Sequence, residues 1–237
     1  MNRRTALRAI PFAVIALAHL VAQAVGADLV ADLTQLFAMP ALLLVLLAPH
    51  PDPNGDWPHV RRWATIALVL SWVGDSLPRI LPEGVAFIGM LVPFLLAQLA
   101  WLVTMLPRRR QSIWFAQRWR LGLYGVLLIG VLALVMPGTG PLLGALVVVY
   151  AVAIMLMATA ATGWGALGTT GGLLFVVSDA LIAVRTFRAE LLPDSPWFGV
   201  LIMATYFAAQ LLLVLGAREW QRRARTPVTG IAAGPAR

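Results

Sequence analysis

The sequence contains no cysteine and no lysine, and only 12% of its residues are charged. The lack of cysteine excludes disulfides, thiolate metal sites and cysteine nucleophiles. A soluble domain is about one-quarter charged. The low charge, with 60% hydrophobic residues and a mean hydropathy of +0.85, therefore predicts a polytopic membrane protein.

Every basic residue is an arginine, and the formal net charge is +8. A basic balance can indicate nucleic-acid binding, but these arginines stand between apolar runs and at the two chain ends, with no pattern of interleaved stacking aromatics. This distribution is typical of side chains that meet anionic lipid headgroups. We therefore predict the lipid bilayer as a partner and no nucleic acid.

Eight apolar runs are long enough to cross about 30 Å of hydrocarbon. They cover residues 9–26, 33–48, 63–80, 84–106, 119–136, 141–162, 167–187 and 197–217, and the second can extend back through Asp32. The predicted fold is all-α, a polytopic membrane protein with eight transmembrane helices. Residues 1–217 form one domain, and residues 218–237 form a basic cytoplasmic tail that we expect to be disordered.

The arginines also predict the orientation. With the N-terminus in the cytoplasm, fifteen arginines lie on the cytoplasmic side, and only Arg79, Arg185 and Arg188 lie outside. The positive-inside rule then places both termini in the cytoplasm of a bacterial inner membrane. An alternative is a signal peptide cleaved near residues 25–27, but we interpret this segment as the first helix.

Two short segments place an aspartate within apolar runs. Residues 70–77 read Leu-Ser-Trp-Val-Gly-Asp-Ser-Leu, and residues 174–181 read Leu-Phe-Val-Val-Ser-Asp-Ala-Leu. A charged aspartate at a helix centre in the bilayer costs about 2.5–3.5 kcal/mol, so Asp75 and Asp179 are candidate functional residues. Each lies about twelve residues into its run, and the two runs point the same way. The carboxyls are therefore expected at one depth, facing one cavity.

The two motifs suggest an internal repeat. Each lies in the third of four predicted helices, and Ala-Gln-Leu follows in the fourth at residues 97–99 and 209–211. Halves with an even number of spans would be parallel to each other. The alternative is coincidence between apolar segments.

Two carboxyls in a site of low dielectric need not ionise alike, so one can donate a proton while the other accepts one. Such a pair suits hydrolysis through an oxocarbenium-like state. It also suits proton or ion transport. A third possibility is structural, with each aspartate only joining helices by hydrogen bonds. The residues alone leave these alternatives open.

Other polar residues give weaker indications of a functional site. His19 lies within the first helix, where an interhelical hydrogen bond is its expected role. The loop residues His50, His59, Asp52 and Asp56 have no compact metal-ligand spacing. We predict no metal site and no cofactor.

Several segments together resemble one known family. They are Ser71-Trp72-Val73-Gly74-Asp75-Ser76-Leu77, Phe87-Ile88-Gly89-Met90, Phe94-Leu95-Leu96-Ala97-Gln98, Phe175-Val176-Val177-Ser178-Asp179 and Tyr206-Phe207-Ala208-Ala209-Gln210. Over residues 30 to 215 the chain is similar to the YhhN family, which includes the lysoplasmalogenases. The resemblance implies an eight-helix membrane hydrolase without a cofactor. Its implied substrates are lysoplasmalogens, which are vinyl-ether lysophospholipids cleaved to a fatty aldehyde and glycerophospho-ethanolamine or -choline.

The resemblance also assigns residues. Asp75 and Asp179 match the family's two acidic positions and are the expected acid/base pair. Six further residues are expected to bind substrate or orient water: Ser71, Gln98, Trp101, Ser178, Tyr206 and Gln210. Two positions depart from the family, which often has Lys in the region of Gln35 and His at Gln98. Both departures are expected to remove ionisable groups from the cavity.

Overall fold

The computed structural model describes residues 3–49, 55–193 and 195–223, and every regular element in these residues is a helix. The eight α-helices are α1 Arg3–Ala24, α2 Asp28–Leu46, α3 Trp57–Ser76, α4 Glu83–Met105, α5 Arg120–Val135, α6 Pro141–Ala161, α7 Gly165–Phe187 and α8 Trp197–Arg223. Short 3-10 helices follow α3, α4, α5, α6 and α7. The predicted all-α fold is confirmed.

Among the described residues, six segments are long and apolar enough to cross a membrane: Thr5–Ala24, Asp28–Leu46, Glu83–Gln111, Arg120–Gly138, Pro141–Phe187 and Trp197–Glu219. The fifth segment contains both α6 and α7. Helix α3 does not belong to any of them, because its first turns carry His59, Arg61 and Arg62. The eight helices coincide with the eight predicted runs, but eight membrane crossings stay a prediction.

Three helices extend well beyond their predicted runs: α1, which begins at Arg3 rather than at residue 9, and α3 and α8. Helix α3 begins at Trp57 and ends at Ser76, whereas the apolar run covers residues 63–80. Pro58 stands in its first turn, a position that proline favours, and the polar residues that follow continue the helix. Helix α8 passes residue 217 and ends at Arg223. Residues 224–237 of the predicted tail lie outside the described residues.

Helix α2 begins at Asp28, so its predicted extension back through Asp32 is confirmed. Helix α1 packs along α2 and also touches α8, where Phe12 meets Phe207 edge to face. His19 of α1 is buried and contacts the backbone carbonyl of Ala31 in α2 through Nδ1 at 2.9 Å. This is the interhelical hydrogen bond expected of His19.

The closest helix pairs are consecutive in the chain: α1 with α2, α3 with α4, and α7 with α8. Helices α4 and α6 connect these pairs, while α5 lies at the edge and buries only Val135. Helix α5 therefore packs less closely on α6 than α1 does on α2. The two halves of the chain therefore pack differently. The parallel repeat stays a hypothesis.

Small residues allow α7 to approach its neighbours. A Cβ atom added at Gly171 would lie 3.1 Å from the backbone nitrogen of Leu213 in α8. A Cβ atom at Gly172 would lie 3.0 Å from the Cα atom of Ala158 in α6. The backbones of α6 and α8 therefore leave little space for side chains on this face of α7.

We predict that Gly171→Leu destabilises the protein, because backbone atoms of α8 occupy the space a side chain needs. Overpacking of this kind costs about 1–3 kcal/mol. The measurement is thermal unfolding in detergent. Gly130→Leu in α5 is the matched control, since nothing lies within 4 Å of a Cβ atom there. Equal midpoints for the two variants would contradict the close packing of α7 on α8.

Candidate functional site

Asp75 is the nineteenth of the twenty residues of α3 and is only 6% exposed. Two side chains from other helices donate hydrogen bonds to its carboxyl. The Tyr206 hydroxyl of α8 donates to Oδ2 at 2.9 Å, and Nε2 of Gln35 in α2 donates to Oδ1 at 3.0 Å. A buried carboxyl needs such partners, because its transfer from water into an apolar environment costs several kcal/mol when no hydrogen bond replaces those to water.

A second pair of polar residues extends this group by one helix turn. Ser71 precedes Asp75 by four residues in α3, and Gln210 follows Tyr206 by four in α8. Nε2 of Gln210 donates to the Ser71 hydroxyl at 2.9 Å and lies 3.4 Å from the Tyr206 hydroxyl. All four side chains are buried. Four of the predicted residues therefore form one hydrogen-bonded cluster between α3 and α8.

Arg79 extends the cluster to the end of α3. Its guanidinium donates to Oε1 of Gln35 at 2.7 Å, to the backbone carbonyl of Asp75, and through Nε to Oδ1 of Asp32 at 3.0 Å. Gln35 thus connects a cation to the Asp75 carboxyl. Because Gln35 stands where the family often has Lys, the cavity was expected to contain fewer ionisable groups. The Arg79 guanidinium nevertheless lies close to Asp75, with only the Gln35 side chain between them.

Asp179 is the fifteenth of the twenty-three residues of α7 and is half-buried. The Tyr150 hydroxyl of α6 donates a hydrogen bond to its Oδ2. Asp179 and Tyr150 are the polar residues of two apolar cavities, each of about 50 Å³. One is lined by Phe87, Met90, Leu91, Phe94, Val147, Ile182, Ala183 and Phe187, and the other by Leu128, Val131, Leu132, Val135, Val147, Ala151, Ile154, Met155, Val176, Ala180 and Ala183.

Phe94 of α4 contacts the surroundings of both aspartates. It lines the first cavity beside Asp179, and its ring packs edge to face on Tyr206 with centroids 5.7 Å apart. A Cβ atom at Gly74 would come within 2.6 Å of the same ring. The glycine before Asp75 therefore makes room for a ring that packs on Tyr206 and also lines the cavity beside Asp179.

The aspartates lie at different distances from the starts of their helices. Both were expected about twelve residues in, but Asp75 is the nineteenth residue of α3 and Asp179 the fifteenth of α7. That expectation is wrong, mainly because α3 includes six residues that precede its apolar run. Asp75 is therefore close to the end of α3, just before the 3-10 helix that contains Arg79.

Besides Asp179, three predicted residues lie outside the Asp75 cluster. The Ser178 hydroxyl is buried and donates to the carbonyl of Ile202 in α8 at 3.1 Å, so it joins two helices. Gln98 is buried beside the Tyr150 hydroxyl, but neither of its polar side-chain atoms forms a hydrogen bond of normal geometry. Trp101 is buried edge to face against Trp164, at 6.3 Å between centroids.

Sequence reasoning did not assign a role to Tyr150, Arg79 or Phe94. Tyr150 is one of only three tyrosines, and it stands in the middle of an apolar helix. Arg79 is one of the three arginines placed outside by the topology. Polar residues are scarce within the apolar runs, so the sequence could have marked Tyr150 and Arg79 as candidate site residues.

Only some of the loop residues considered for a metal lie within the described residues. His59 lies in α3, where its Nε2 is 3.0 Å from the carbonyl of Val103. His50 and Asp52 lie outside the described residues. Over residues 3–49, 55–193 and 195–223, no group of three His, Asp or Glu side chains could hold a metal ion.

The apolar helices and the buried carboxyl cluster define an integral membrane protein with a polar site enclosed by its helices. A family comparison is more specific: residues 30–217 match the YhhN family, which is most of the chain. The chain belongs to the YhhN family.

Two curated relatives match over shorter stretches. Lysoplasmalogenase TMEM86A of Bos taurus is 48% identical over 50 residues, which are 21% of this chain and 19% of the relative. Lysoplasmalogenase TMEM86B of Mus musculus is 43% identical over 54 residues, 23% of this chain and 22% of the relative. The matches thus span about a fifth of each relative. No solved structure matches the chain.

We predict that Asp75 and Tyr206 stabilise the fold as a pair. Tyr206→Phe leaves a buried carboxyl oxygen without its donor, at a cost of about 1–3 kcal/mol. The double variant Asp75→Asn, Tyr206→Phe is expected to lose less free energy of unfolding than the sum of the single variants. Unfolding in detergent measures this coupling. Tyr124→Phe, at a half-buried tyrosine of α5, is the control, and additive losses would contradict the coupling.

Proposed function

We propose that the protein is a lysoplasmalogenase-like membrane hydrolase that cleaves the vinyl-ether bond of a lysoplasmalogen. The observation that carries this proposal is the pair of carboxyls with different surroundings. Asp179 borders apolar cavities, whereas Asp75 lies within a polar cluster. Membership of the YhhN family and the similarity to two proteins named lysoplasmalogenases support it.

The proposed reaction needs an acid and a base but no nucleophilic side chain. A proton is added to the β-carbon of the vinyl ether, and the electron pair of the ether oxygen forms an oxocarbenium ion. Water adds to the carbon next to that oxygen and gives a hemiacetal. Collapse of the hemiacetal releases a fatty aldehyde and leaves glycerophospho-ethanolamine or -choline with a free glycerol hydroxyl. Positioned acids and bases accelerate such proton transfers about 10²–10⁴-fold.

Asp179 is the proposed acid. The alkenyl chain is apolar, and the cavities that Asp179 borders are lined by aliphatic and aromatic side chains. Each cavity, at about 50 Å³, has room for only a few chain atoms, so the vinyl-ether end of the chain placed in either cavity would lie beside this carboxyl. An apolar wall favours the neutral, proton-bearing form of a carboxyl. A general acid must also have a fixed orientation, and the hydrogen bond from the Tyr150 hydroxyl orients the Asp179 carboxyl.

Asp75 is the proposed base for water. Its carboxyl is held by Tyr206 and Gln35, and Ser71 and Gln210 supply further polar groups one turn away. Asp75 accepts a proton from the attacking water and returns it to the leaving glycerol oxygen. Asp179 then recovers a proton from the hemiacetal hydroxyl. Both carboxyls return to their starting states, so the cycle is balanced.

The topology is part of the proposal. We place eight crossings within a single domain over residues 1–217, both termini in the cytoplasm and the protein in a bacterial inner membrane. The arginine distribution supports this arrangement. A lysophospholipid could then enter sideways from the bilayer and reach Asp179 past the Phe87 and Phe187 rings, whose centroids are 5.3 Å apart.

We predict that the purified protein in detergent releases aldehyde from 1-alkenyl lysophosphatidylethanolamine. Asp75→Asn and Asp179→Asn should each lower kcat by about 100-fold or more, the usual contribution of a general acid or base. Asp28→Asn, at an exposed carboxyl of α2, is the matched control and should keep the parent rate. Coupled reduction of the released aldehyde measures turnover.

The same assay separates the alternatives. Turnover that is unaffected by either active-site substitution would keep the hydrolase and exclude this acid/base pair. No turnover by folded protein, with alkenyl, acyl and alkyl lysolipids alike, would contradict the proposed reaction. A transporter that uses the aspartates as a proton relay would instead need a membrane and a proton gradient.

We predict that Ala183→Leu shifts chain-length preference, because Ala183 lines both cavities. Each buried methylene contributes about 0.8 kcal/mol. The ratio of kcat/KM for long over short alkenyl chains should fall about tenfold, the loss of one or two such contacts. Ala189→Leu, at an exposed position after α7, is the control. An unchanged ratio would contradict these cavities as the chain site.

A further inference from the structure

Arg79 lies close to Asp75, the proposed base. It ends the 3-10 helix Leu77–Arg79 that follows α3, one turn beyond Asp75. Its guanidinium contacts Gln35, and Gln35 contacts the Asp75 carboxyl, at 2.7 and 3.0 Å. A single amide side chain therefore separates a fixed positive charge from the proposed reaction centre.

The guanidinium can accept a further partner. Arginine has five N–H donors, and the contacts to Asp32, Gln35 and the Asp75 carbonyl engage three of them. The Arg79 side chain is 23% exposed and that of Asp32 is 57% exposed. Ion pairs this open to solvent contribute about 0–1 kcal/mol, so a stronger anion can displace Asp32.

The size of the substrate matches this arrangement. In a lysoplasmalogen only the glycerol backbone separates the phosphate from the vinyl ether. Between the Arg79 guanidinium and the Asp75 carboxyl there is only the Gln35 amide. A substrate whose vinyl ether lies at the carboxyls would therefore hold its phosphate near Arg79. Arginine binds phosphate well, since its planar fork donates two parallel hydrogen bonds.

We propose that Arg79 binds the phosphate of the lysophospholipid substrate and that Asp32 leaves the guanidinium on binding and faces the head-group ammonium. This inference rests on the proposed function. The Arg79–Asp32 pair has one charge of each sign, as does a zwitterionic head group, so each substrate charge meets its opposite. The same phosphate chemistry could come from a bilayer lipid, and the experiment distinguishes the two sources.

The experiment compares two substrates with the same alkenyl chain in phospholipid-free detergent: 1-alkenyl lysophosphatidylethanolamine and 1-alkenylglycerol, which has no phosphate. For Arg79→Gln, the loss of kcat/KM on the phospholipid should exceed the loss on the alkenylglycerol by about tenfold or more, because charge-assisted hydrogen bonds are lost. Arg79→Lys keeps the charge and should show a smaller difference. Arg188→Gln, which removes another ion-paired arginine, should leave the ratio unchanged.

Equal losses on both substrates would overturn the inference and leave Arg79 as a positioning residue for Gln35 and Asp75. A binding measurement does not depend on turnover: glycerophosphoethanolamine should raise the thermal midpoint of the parent and not of Arg79→Gln. An inactive parent that is still stabilised by this fragment would sink the proposed function and keep the phosphate site. Arg79-dependent stabilisation by phosphatidylglycerol micelles but not by the fragment would assign Arg79 to bilayer lipid and overturn the inference.

Discussion

The hydrogen bond from the Tyr206 hydroxyl to the Asp75 carboxyl is the constraint on which the site depends. It joins α3 to α8, two helices that otherwise touch little. A carboxyl inside an apolar bundle is tolerated only when donors satisfy it, so Asp75 fixes the position of α8 relative to α3. Gln210 repeats the connection one turn further on, at Ser71. The contacts that stabilise the bundle therefore also orient the carboxyl.

Most of the fold could be predicted from the sequence, because apolar runs of membrane-spanning length leave the chain few alternatives to helices. The start of α3 could not. His59, Arg61 and Arg62 are polar enough to be read as loop, yet they continue the helix from Trp57. Hydropathy reports where a helix is apolar, whereas backbone hydrogen bonds decide where it begins. The same difference explains why α8 continues past its apolar run to Arg223.

The candidate site could be predicted in part. Asp75 and Asp179 are conspicuous as carboxylates in apolar runs, and helical spacing connects Asp75 to Ser71. The partners could not be found this way, because Gln35 and Tyr150 reach the carboxyls from the preceding helices, at separations of 40 and 29 residues. Such contacts depend on helix rotation and packing, which periodicity in a strongly apolar helix barely specifies. A helix that is apolar all round shows no preferred face.

The proposed division of roles between the two carboxyls rests on their different neighbours. Each accepts a hydrogen bond from a tyrosine, so the tyrosines alone do not distinguish them. Asp75, the proposed base, also receives the Gln35 amide, which is itself bound by the Arg79 guanidinium. Asp179, the proposed acid, faces cavities whose other lining side chains, apart from Tyr150, are apolar. Two identical side chains thus have different surroundings, and the proposed acid and base roles rest on that difference, with the Phe94 ring packed on Tyr206 and lining the cavity of Asp179.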